Sequence, residues 1–175
     1  MKDGRRVDEQ LQIRRGILAD AGLLVDLFDE AIAWLVARGQ TGQWGSEPSS
    51  RRPGGLAFLE SLAGGGGLRV AELDDQPVGV LVVGDAPHHV PAIDRPELYI
   101  ELLLSSRRHA GKQLGARLVD VAIDEARAAD CEVLRVDCWA DARPLVDWYR
   151  GQGFAPTGTF ELEGWRGQVF TMPVL

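Results

Sequence analysis

The spacing of apolar residues along the chain predicts most of its secondary structure. Apolar residues three or four positions apart predict helices after Asp20 and from Lys112 to Ala129. Short apolar runs between turn residues predict strands. The run Glu97–Ser105 is apolar almost throughout, which is typical of a strand at the centre of a sheet. In chain order the predicted elements are β α α β β β α β α β β, and a turn over residues 164–167 is expected between the last two strands.

Length and composition place the chain among ordinary globular proteins. It has 175 residues, of which 45% are hydrophobic and 26% are charged. We expect residues 1–10 to be a disordered N-terminus and residues 11–175 to form a single domain. No apolar run is long enough to cross a bilayer, and the charged start lacks the apolar stretch of a signal peptide. The sequence therefore predicts a cytoplasmic protein with no membrane contact.

The charge of the chain bears on its partners. The net charge is −7 and the pI is about 5.0, which argues against nucleic-acid binding because phosphate backbones select basic surfaces. An acidic surface favours a cationic substrate, although it can also serve solubility alone. Cys131 and Cys138 are expected at opposite ends of one strand, too far apart for a disulfide. With no CxxC and no HExxH motif, we predict no metal site.

The stretch "LYIELLLSSRRHAGKQLGARLVDVA" leads from a strand through a glycine-bearing turn into a helix. Such a turn presents unpaired backbone amides and the positive end of the helix dipole to one point, where a phosphate binds well. Gly111 and Gly115 allow a close approach, and Lys112, Arg107 and Arg108 add positive charge. The alternative is ordinary helix packing with solvated cations. The order of residues fits neither a Walker loop nor a Rossmann fingerprint.

Two motifs make the chain resemble a GNAT N-acetyltransferase from Ile13 to the C-terminus. The phosphate motif of that superfamily, Q/R-x-x-G-x-G/A, aligns with "AGKQLGARLV" so that Ala110, Gln113 and Gly115 take its three positions. Two of the three positions depart from the motif. The register "RHAGKQ" recovers an arginine and a glycine but fits the following helix less well.

The second motif is a tyrosine followed by Gly-Phe before the last hairpin. The stretch "YRGQGF" reproduces it with Tyr149, Gly153 and Phe154. The asparagine that is common seven residues before the tyrosine is Ala142 here, so one hydrogen bond to the cofactor is expected to be missing. The order of the predicted elements also matches the superfamily.

The resemblance implies an α/β GNAT fold, with a mixed twisted sheet of about seven strands and helices on both faces. It implies acetyl-CoA as the cofactor and direct transfer of its acetyl group to a primary amine in a ternary complex. By position, the cofactor-binding residues would be Leu102, Leu103, Leu104, Ser105, Ala110, Gly111, Lys112, Gln113, Leu114 and Gly115. The alternative function is a non-catalytic acyl-CoA-binding or interaction module with a degenerate phosphate loop.

Two residues are candidates for the chemistry. Tyr149 matches the family tyrosine near the sulfur of the cofactor, where a phenol can donate a proton; a packing tyrosine is the alternative. Glu101 is the one charged residue in the apolar run from Leu98 to Leu104, and strict alternation places it on the face of Tyr99 and Leu103. Burial would raise its pKa toward that of a useful base. An ion pair with a nearby arginine is the equally open alternative.

The acceptor is predicted only as a small-molecule or peptide amine. Trp44, in the loop between the first two helices, could stack on a substrate or anchor a helix. Asp137, at the end of its strand, could meet a cationic amine. A covalent acyl-enzyme on Cys138 is not expected because no histidine is near it in sequence. A homodimer is possible.

Overall fold

The computed structural model describes residues 10–175, and within them seven strands form one mixed sheet. The strand order is β1-β2-β3-β4-β5-β7-β6, and only the pair β4 and β5 is parallel. This confirms the predicted seven-stranded mixed sheet and the order of elements. The strands are β1 Leu11–Arg15, β2 Leu68–Leu73, β3 Gln76–Gly84, β4 Glu97–Ser105, β5 Val133–Trp139, β6 Ala155–Leu162 and β7 Trp165–Pro173. The predicted disorder of the N-terminus concerns residues outside the described range, apart from position 10.

Within residues 10–175 four α-helices cover the two faces of the sheet, and helices on both faces were predicted. They are α1 Ala21–Val36, α2 Gly55–Gly64, α3 Leu114–Ala128 and α4 Arg143–Gly151. The apolar stripe of α3, with Leu118 and Ala122 fully buried, packs on one face together with Tyr149 of α4. On the other face, Leu24 of α1 and Leu59 of α2 are fully buried in a second apolar cluster. No described helix is long and apolar enough to span a membrane.

Two of the differences from the predicted element boundaries have a clear cause in the backbone. Helix α3 begins at Leu114 and not at Lys112, because Gln113 has a left-handed backbone that cannot continue a helix. The prediction of a turn over residues 164–167 is wrong in its bounds. Glu163 and Gly164 both have positive φ, and this pair makes a two-residue hairpin turn, so that Trp165 already belongs to β7.

The parallel strands β4 and β5 separate part-way along their length. They are paired from Glu97 opposite Val133 to Ile100 opposite Val136, and no pairing follows on the side of Glu101. Beyond this point β4 stays paired to β3 and β5 stays paired to β7. The two strands therefore diverge and leave a cleft between them, which we call the split.

The residue at the apex of the split is Glu101, and it interrupts the alternation of β4. Val82 of β3 lies opposite Leu102 and Val83 lies opposite Ile100, so Glu101 has no partner of its own on β3. Ile100 and Leu103 consequently pack in the same apolar cluster beneath α3, although strict alternation would put them on opposite faces. The predicted grouping of Glu101 with Leu103 on one face is therefore wrong, because a β-bulge inserts one extra residue.

Candidate active site

A cavity of about 1400 Å³ opens at the split. Its walls are the diverging ends of β4 and β5, the start of α3, one side of α4, and the loop of residues 37–54 between α1 and α2. All of the predicted site residues except Lys112 line this cavity. Lys112 lies at a smaller depression beside it, together with Leu11 and Arg117. The fold thus brings residues from separate stretches of the sequence to one place.

One end of the cavity is the turn that leads into α3, residues 106–116, which we call the amide turn. None of the described residues accepts a hydrogen bond from the backbone amides of Gln113, Leu114, Gly115 or Ala116. These are the first amides of a helix of 15 residues, so they point along the axis toward the positive end of its dipole. The amide turn therefore offers several converging N–H donors to an anion.

The departures from the phosphate motif have a structural consequence at Gln113. This residue is the N-cap of α3 and has φ of 56° and ψ of 30°. Glycine reaches this left-handed conformation without strain, whereas a residue with a Cβ pays roughly 1–2 kcal/mol. Gly111 has a φ of 86°, so it too uses the conformational freedom of glycine. The path of the amide turn is therefore kept even though one glycine of the motif is absent.

Gly115 serves packing as well as access. A Cβ built on it would lie 3.0 Å from Cζ2 of Trp148 in α4, which is tighter than almost all real contacts. The start of α3 therefore approaches α4 more closely than a larger residue would allow. The packing alternative and the phosphate alternative for this glycine are compatible, since one small residue meets both needs.

The amide turn is held at its start by α1 and β3. The backbone amide of Arg107 donates to Oε1 of Glu30 at 2.9 Å, and the amide of Ser106 donates to the carbonyl of Val78 at 2.7 Å. Nδ1 of His109 is buried and has no hydrogen-bond partner among the described residues, although His109 lines the cavity. A buried nitrogen without a partner is costly, so a ligand group in the cavity would compensate it.

Glu101 reaches the cavity from the apex of the split. Within residues 10–175 no arginine or lysine forms an ion pair with it, so the ion-pair alternative is not what the structure has. A Cβ at position 84 would collide with a carboxylate oxygen of Glu101. Gly84 therefore provides the space that the side chain of Glu101 occupies. The bulge therefore turns a charged residue of a central strand toward solvent in a cleft instead of toward a packed core.

The surroundings of Glu101 favour its protonated form. Partial burial raises the pKa of its carboxyl group, and the negative charge of Asp85 raises this pKa further. Asp85 follows β3 directly and also lines the cavity. A carboxylate with a raised pKa is a better proton acceptor than an ordinary glutamate, so the environment suits a general base.

Tyr149 belongs to α4, the helix that follows β5, and lines the cavity from there. Its ring is buried against Trp148, Phe154 and Phe170, with centroid distances of 5.0, 5.7 and 5.4 Å. Burial raises the pKa of its phenol, and the neighbouring Cys138 and Asp137 raise it further. The phenol therefore keeps its proton at neutral pH and is able to donate it or a hydrogen bond.

Asp137 is the first residue of β5 beyond the last pair with β4. Its carboxylate Oδ2 accepts a short hydrogen bond from the hydroxyl of the buried Tyr99. Burial raises the pKa of Asp137, while the bond from Tyr99 and the charge of His89 act in the opposite direction. The next residue, Cys138, is a buried free thiol whose pKa is raised to about 12 by burial and by the charge of Asp137. Such a thiol stays protonated and is a poor nucleophile.

Sequence reasoning missed several lining residues. Asp85 and His109 were not singled out because each lies in a polar loop where charged and aromatic residues are common. In the sequence Tyr99 resembles an ordinary core residue, and Ala116 could contribute only its backbone amide. The side chain of neither residue therefore indicates a binding site. The spacing of Glu101 and Asp137 across the split depends on strand pairing, which one sequence does not display.

The geometry fits the cofactor implied by the sequence. The amide turn has unpaired donors for a diphosphate, His109 has an orphaned nitrogen, and the open edge of β4 from Leu102 to Ser105 offers backbone groups to an extended chain. The cavity exceeds the ~300–1000 Å³ of a pocket for one small ligand, so it has room for a second. Among the described residues, no group of three or more His, Cys, Asp or Glu is arranged to hold a metal ion.

Comparison with known proteins agrees with this geometry. The model of the acetyltransferase (GNAT) family matches residues 27–154, which include the amide turn, Tyr149 and all residues that line the cavity except Trp165. None of the curated proteins is significantly similar to the chain in sequence.

Several solved structures have the same fold over nearly their whole length. An N-acetyltransferase from Staphylococcus aureus Mu50 superposes with a TM-score of 0.68 at 16% identity, covering 95% of this chain and 99% of that one. The ribosomal-protein-alanine N-acetyltransferase of Brucella melitensis gives 0.65 at 22% identity, with coverages of 93% and 99%. The yncA protein of Salmonella typhimurium, solved with its cofactor acetyl-CoA, gives 0.63 at 19% identity and covers 94% of each chain. At these identities the likeness shows the fold.

Proposed function

Because the chain belongs to the GNAT family of acetyltransferases, we propose that it transfers the acetyl group of acetyl-CoA to a primary amine by direct attack in a ternary complex. The family membership confirms what the two sequence motifs predicted. The bound cofactor supplies an acetyl group activated as a thioester. The acceptor is proposed to be a small molecule or a peptide.

The observation that carries this proposal is that anion-binding amides and a base candidate open on one cavity. The amides of Gln113 to Ala116 have no acceptor among the described residues, and Glu101 has no cationic partner there. One end thus suits a diphosphate and the other suits a proton transfer. The open edge of β4 connects the two ends, and a cofactor with a long flexible arm would span this distance.

The proposed role of Glu101 is to accept the proton of the acceptor amine. An alkylammonium ion has no lone pair, so the amine must lose a proton before or during its attack. The raised pKa of Glu101 brings its basicity closer to neutrality, and its cavity is open to solvent, so the proton can pass directly or through water.

The proposed role of Tyr149 is to stabilise the leaving sulfur. Its phenol keeps its proton because burial raises its pKa, and it lines the same cavity as Glu101. Donation from Oη lowers the cost of charge on a departing thiolate. Cys138 lies beside it, but its raised pKa keeps it as a thiol, which fits direct transfer rather than an acyl-enzyme.

The experiment is a thiol-release assay with acetyl-CoA over a panel of monoamines, diamines and short peptides, alongside calorimetric titration with CoA. We expect saturable binding of CoA and release of thiol with at least one class of amine. Binding of CoA without turnover on any amine would favour the alternative of a non-catalytic acyl-CoA-binding module. Absence of both would contradict the proposal altogether. The cytoplasmic location, the single domain over residues 11–175 and a homodimer stay predictions.

A further inference from the structure

The part of the cavity around Glu101, where the amine is proposed to react, is called the acceptor end. It contains a carboxylate, that of Asp137, which the proposed chemistry does not use. Asp137 stands one residue past the Ile100–Val136 pair on β5, and Glu101 stands one residue past it on β4. Paired strands lie about 4.8 Å apart, so the two acidic residues begin from neighbouring points on the two arms of the split. Asp137 therefore faces the same cavity as the proposed base, from the opposite strand.

The side chain of Asp137 is held in one orientation. The hydroxyl of Tyr99 donates to its Oδ2, and Tyr99 is 1% exposed, so the donor is itself fixed by packing. The structure gives Oδ1 no hydrogen bond and gives the carboxylate no ion pair within residues 10–175. A largely buried carboxylate with a fixed orientation and a free oxygen is costly for the fold, and a cation in the cavity would offset that cost.

Carboxylates predominate around this end, and of the cations that act on Asp137, Arg135 is already paired with Glu97. Asp85 and Glu101 also line it, and neither forms an ion pair with any described residue. The two arginines that line the cavity are engaged elsewhere. The guanidinium of Arg52 donates to the carbonyls of Trp44 and Glu47, and that of Arg107 lies over the ring of Trp34 beside the amide turn.

The loop of residues 37–54 covers this end of the cavity. The side chain of Gln43 accepts from the backbone amide of Trp139 at 2.7 Å, and the indole of Trp165 donates to the carbonyl of Gly42 at 2.7 Å. These bonds fasten the loop to the ends of β5 and β7, with Gly42 in contact with the ring of Trp139. A covered pocket favours a small acceptor over the terminus of a folded protein. Its aromatic wall also suits an ammonium ion.

From this arrangement we infer that the acceptor is a small amine with a second positive charge, and that Asp137, oriented by Tyr99, binds that second charge. The inference rests on the proposed function and names the substrate class of the same site. The reacting nitrogen lies toward Glu101, which takes its proton, while the distal ammonium donates to Oδ1 of Asp137. Asp137 is therefore a specificity residue that touches the substrate.

The first test compares two acceptors of equal length, 1,4-diaminobutane and 4-amino-1-butanol, in the acetyl-CoA thiol-release assay. Only the first has a second ammonium group. A charge-assisted hydrogen bond to an oriented carboxylate should favour the diamine in kcat/KM by about 10- to 100-fold. Added salt should raise KM more for the diamine than for the amino alcohol, because the diamine carries two positive charges and the amino alcohol carries one.

The second test changes the proposed specificity residue. Asp137→Asn keeps an oxygen that accepts from Tyr99 and removes the charge, so we expect KM for the diamine to rise about tenfold or more, with kcat little changed. The amino alcohol should be affected much less, because it has no second ammonium group to bind at this carboxylate. Asp147→Asn is the matched control, since Asp147 is an exposed carboxylate of α4 that does not line the cavity. If Asp137 had only a structural role, its substitution would change the kinetics of both acceptors alike.

The outcomes separate the inference from the proposed function. Equal rates with the two acceptors, or a clear preference for peptides, would overturn the inference and leave acetyl transfer intact. If no amine is acetylated, the proposed function is wrong, and calorimetric titration of the CoA-saturated protein with 1,4-diaminobutane decides the inference. Binding of the diamine that Asp137→Asn weakens would support it, and no binding would refute it.

Discussion

The two ends of the cavity are built in different ways. In the proposed complex the amide turn would bind the diphosphate through the backbone N–H groups of Gln113 to Ala116, which are present whatever the side chains are, provided the chain keeps its path. The acceptor end would act through the carboxylates of Glu101 and Asp137, whose identity and direction both matter. The difference teaches that departures from a motif are tolerable at the first end, whereas a single substitution at the second should change the chemistry.

The largest effect is expected at Glu101. Glu101→Gln keeps the shape and removes the proton acceptor, so kcat should fall by about 10²–10⁴-fold. The melting temperature should stay the same or rise, because a partly buried and unpaired charge is lost. Steady-state kinetics and thermal unfolding check the two parts. A variant that keeps its activity would show that a water chain or another group takes the proton.

A smaller effect is expected at Tyr149. Tyr149→Phe keeps the ring contacts with Phe154 and Phe170 and removes the hydroxyl, so turnover should slow by about 10- to 100-fold. The affinity for CoA, measured by calorimetry, should change little. An unchanged rate would leave Tyr149 with packing alone.

The influence of Asp85 on Glu101 should be visible in the pH profile. The negative charge of Asp85 raises the pKa of Glu101, so Asp85→Asn should lower that pKa. Because the base acts when deprotonated, the acid limb of kcat/KM should move to lower pH. Asp147→Asn serves as the distant control. A limb that stays in place or moves upward would mean that it reports another group.

The smallest effect on ligand binding is expected at the amide turn. Gln113→Gly relieves a left-handed residue and should stabilise the protein by about 0.5–1 kcal/mol, measured by urea unfolding. The affinity for CoA should stay within about twofold, since the amide remains. Gly111→Ala is the matched control, because it adds a Cβ at a φ of 86° and should act in the opposite direction. A tenfold loss of affinity in Gln113→Gly would show that the side chain itself binds.

The sequence predicted the sheet and the helices that cover it well, because the spacing of apolar residues determines which residues face the core. The helical stripe of α3 and the apolar run of β4 are both long and regular, and the structure places both in the core. The start of α3 was placed two residues early, since the left-handed backbone of Gln113 has no counterpart in its residue type.

The candidate site was predictable in part. The two motifs located the amide turn and Tyr149, and these residues line the cavity. The alternation of β4 failed at Glu101 because a bulge depends on the neighbouring strand. Asp85, His109 and Tyr99 were not predicted to belong to the site, because their places in it depend on contacts between distant parts of the chain. The roles assigned to these residues stay predictions that the variants above test.

The extra residue of the bulge in β4 is Glu101, which is also the proposed base. Replacing Glu101 alters only the group at the apex of the split, and removing it would restore regular pairing with β3, because the residues on either side of it already lie opposite neighbouring residues of that strand. Leu102 and Leu104 would stay beneath α1 and α2, and Leu103 would stay beneath α3, as strict alternation then requires. A chain shortened by this one residue would therefore keep its core and lose the carboxylate in the cleft.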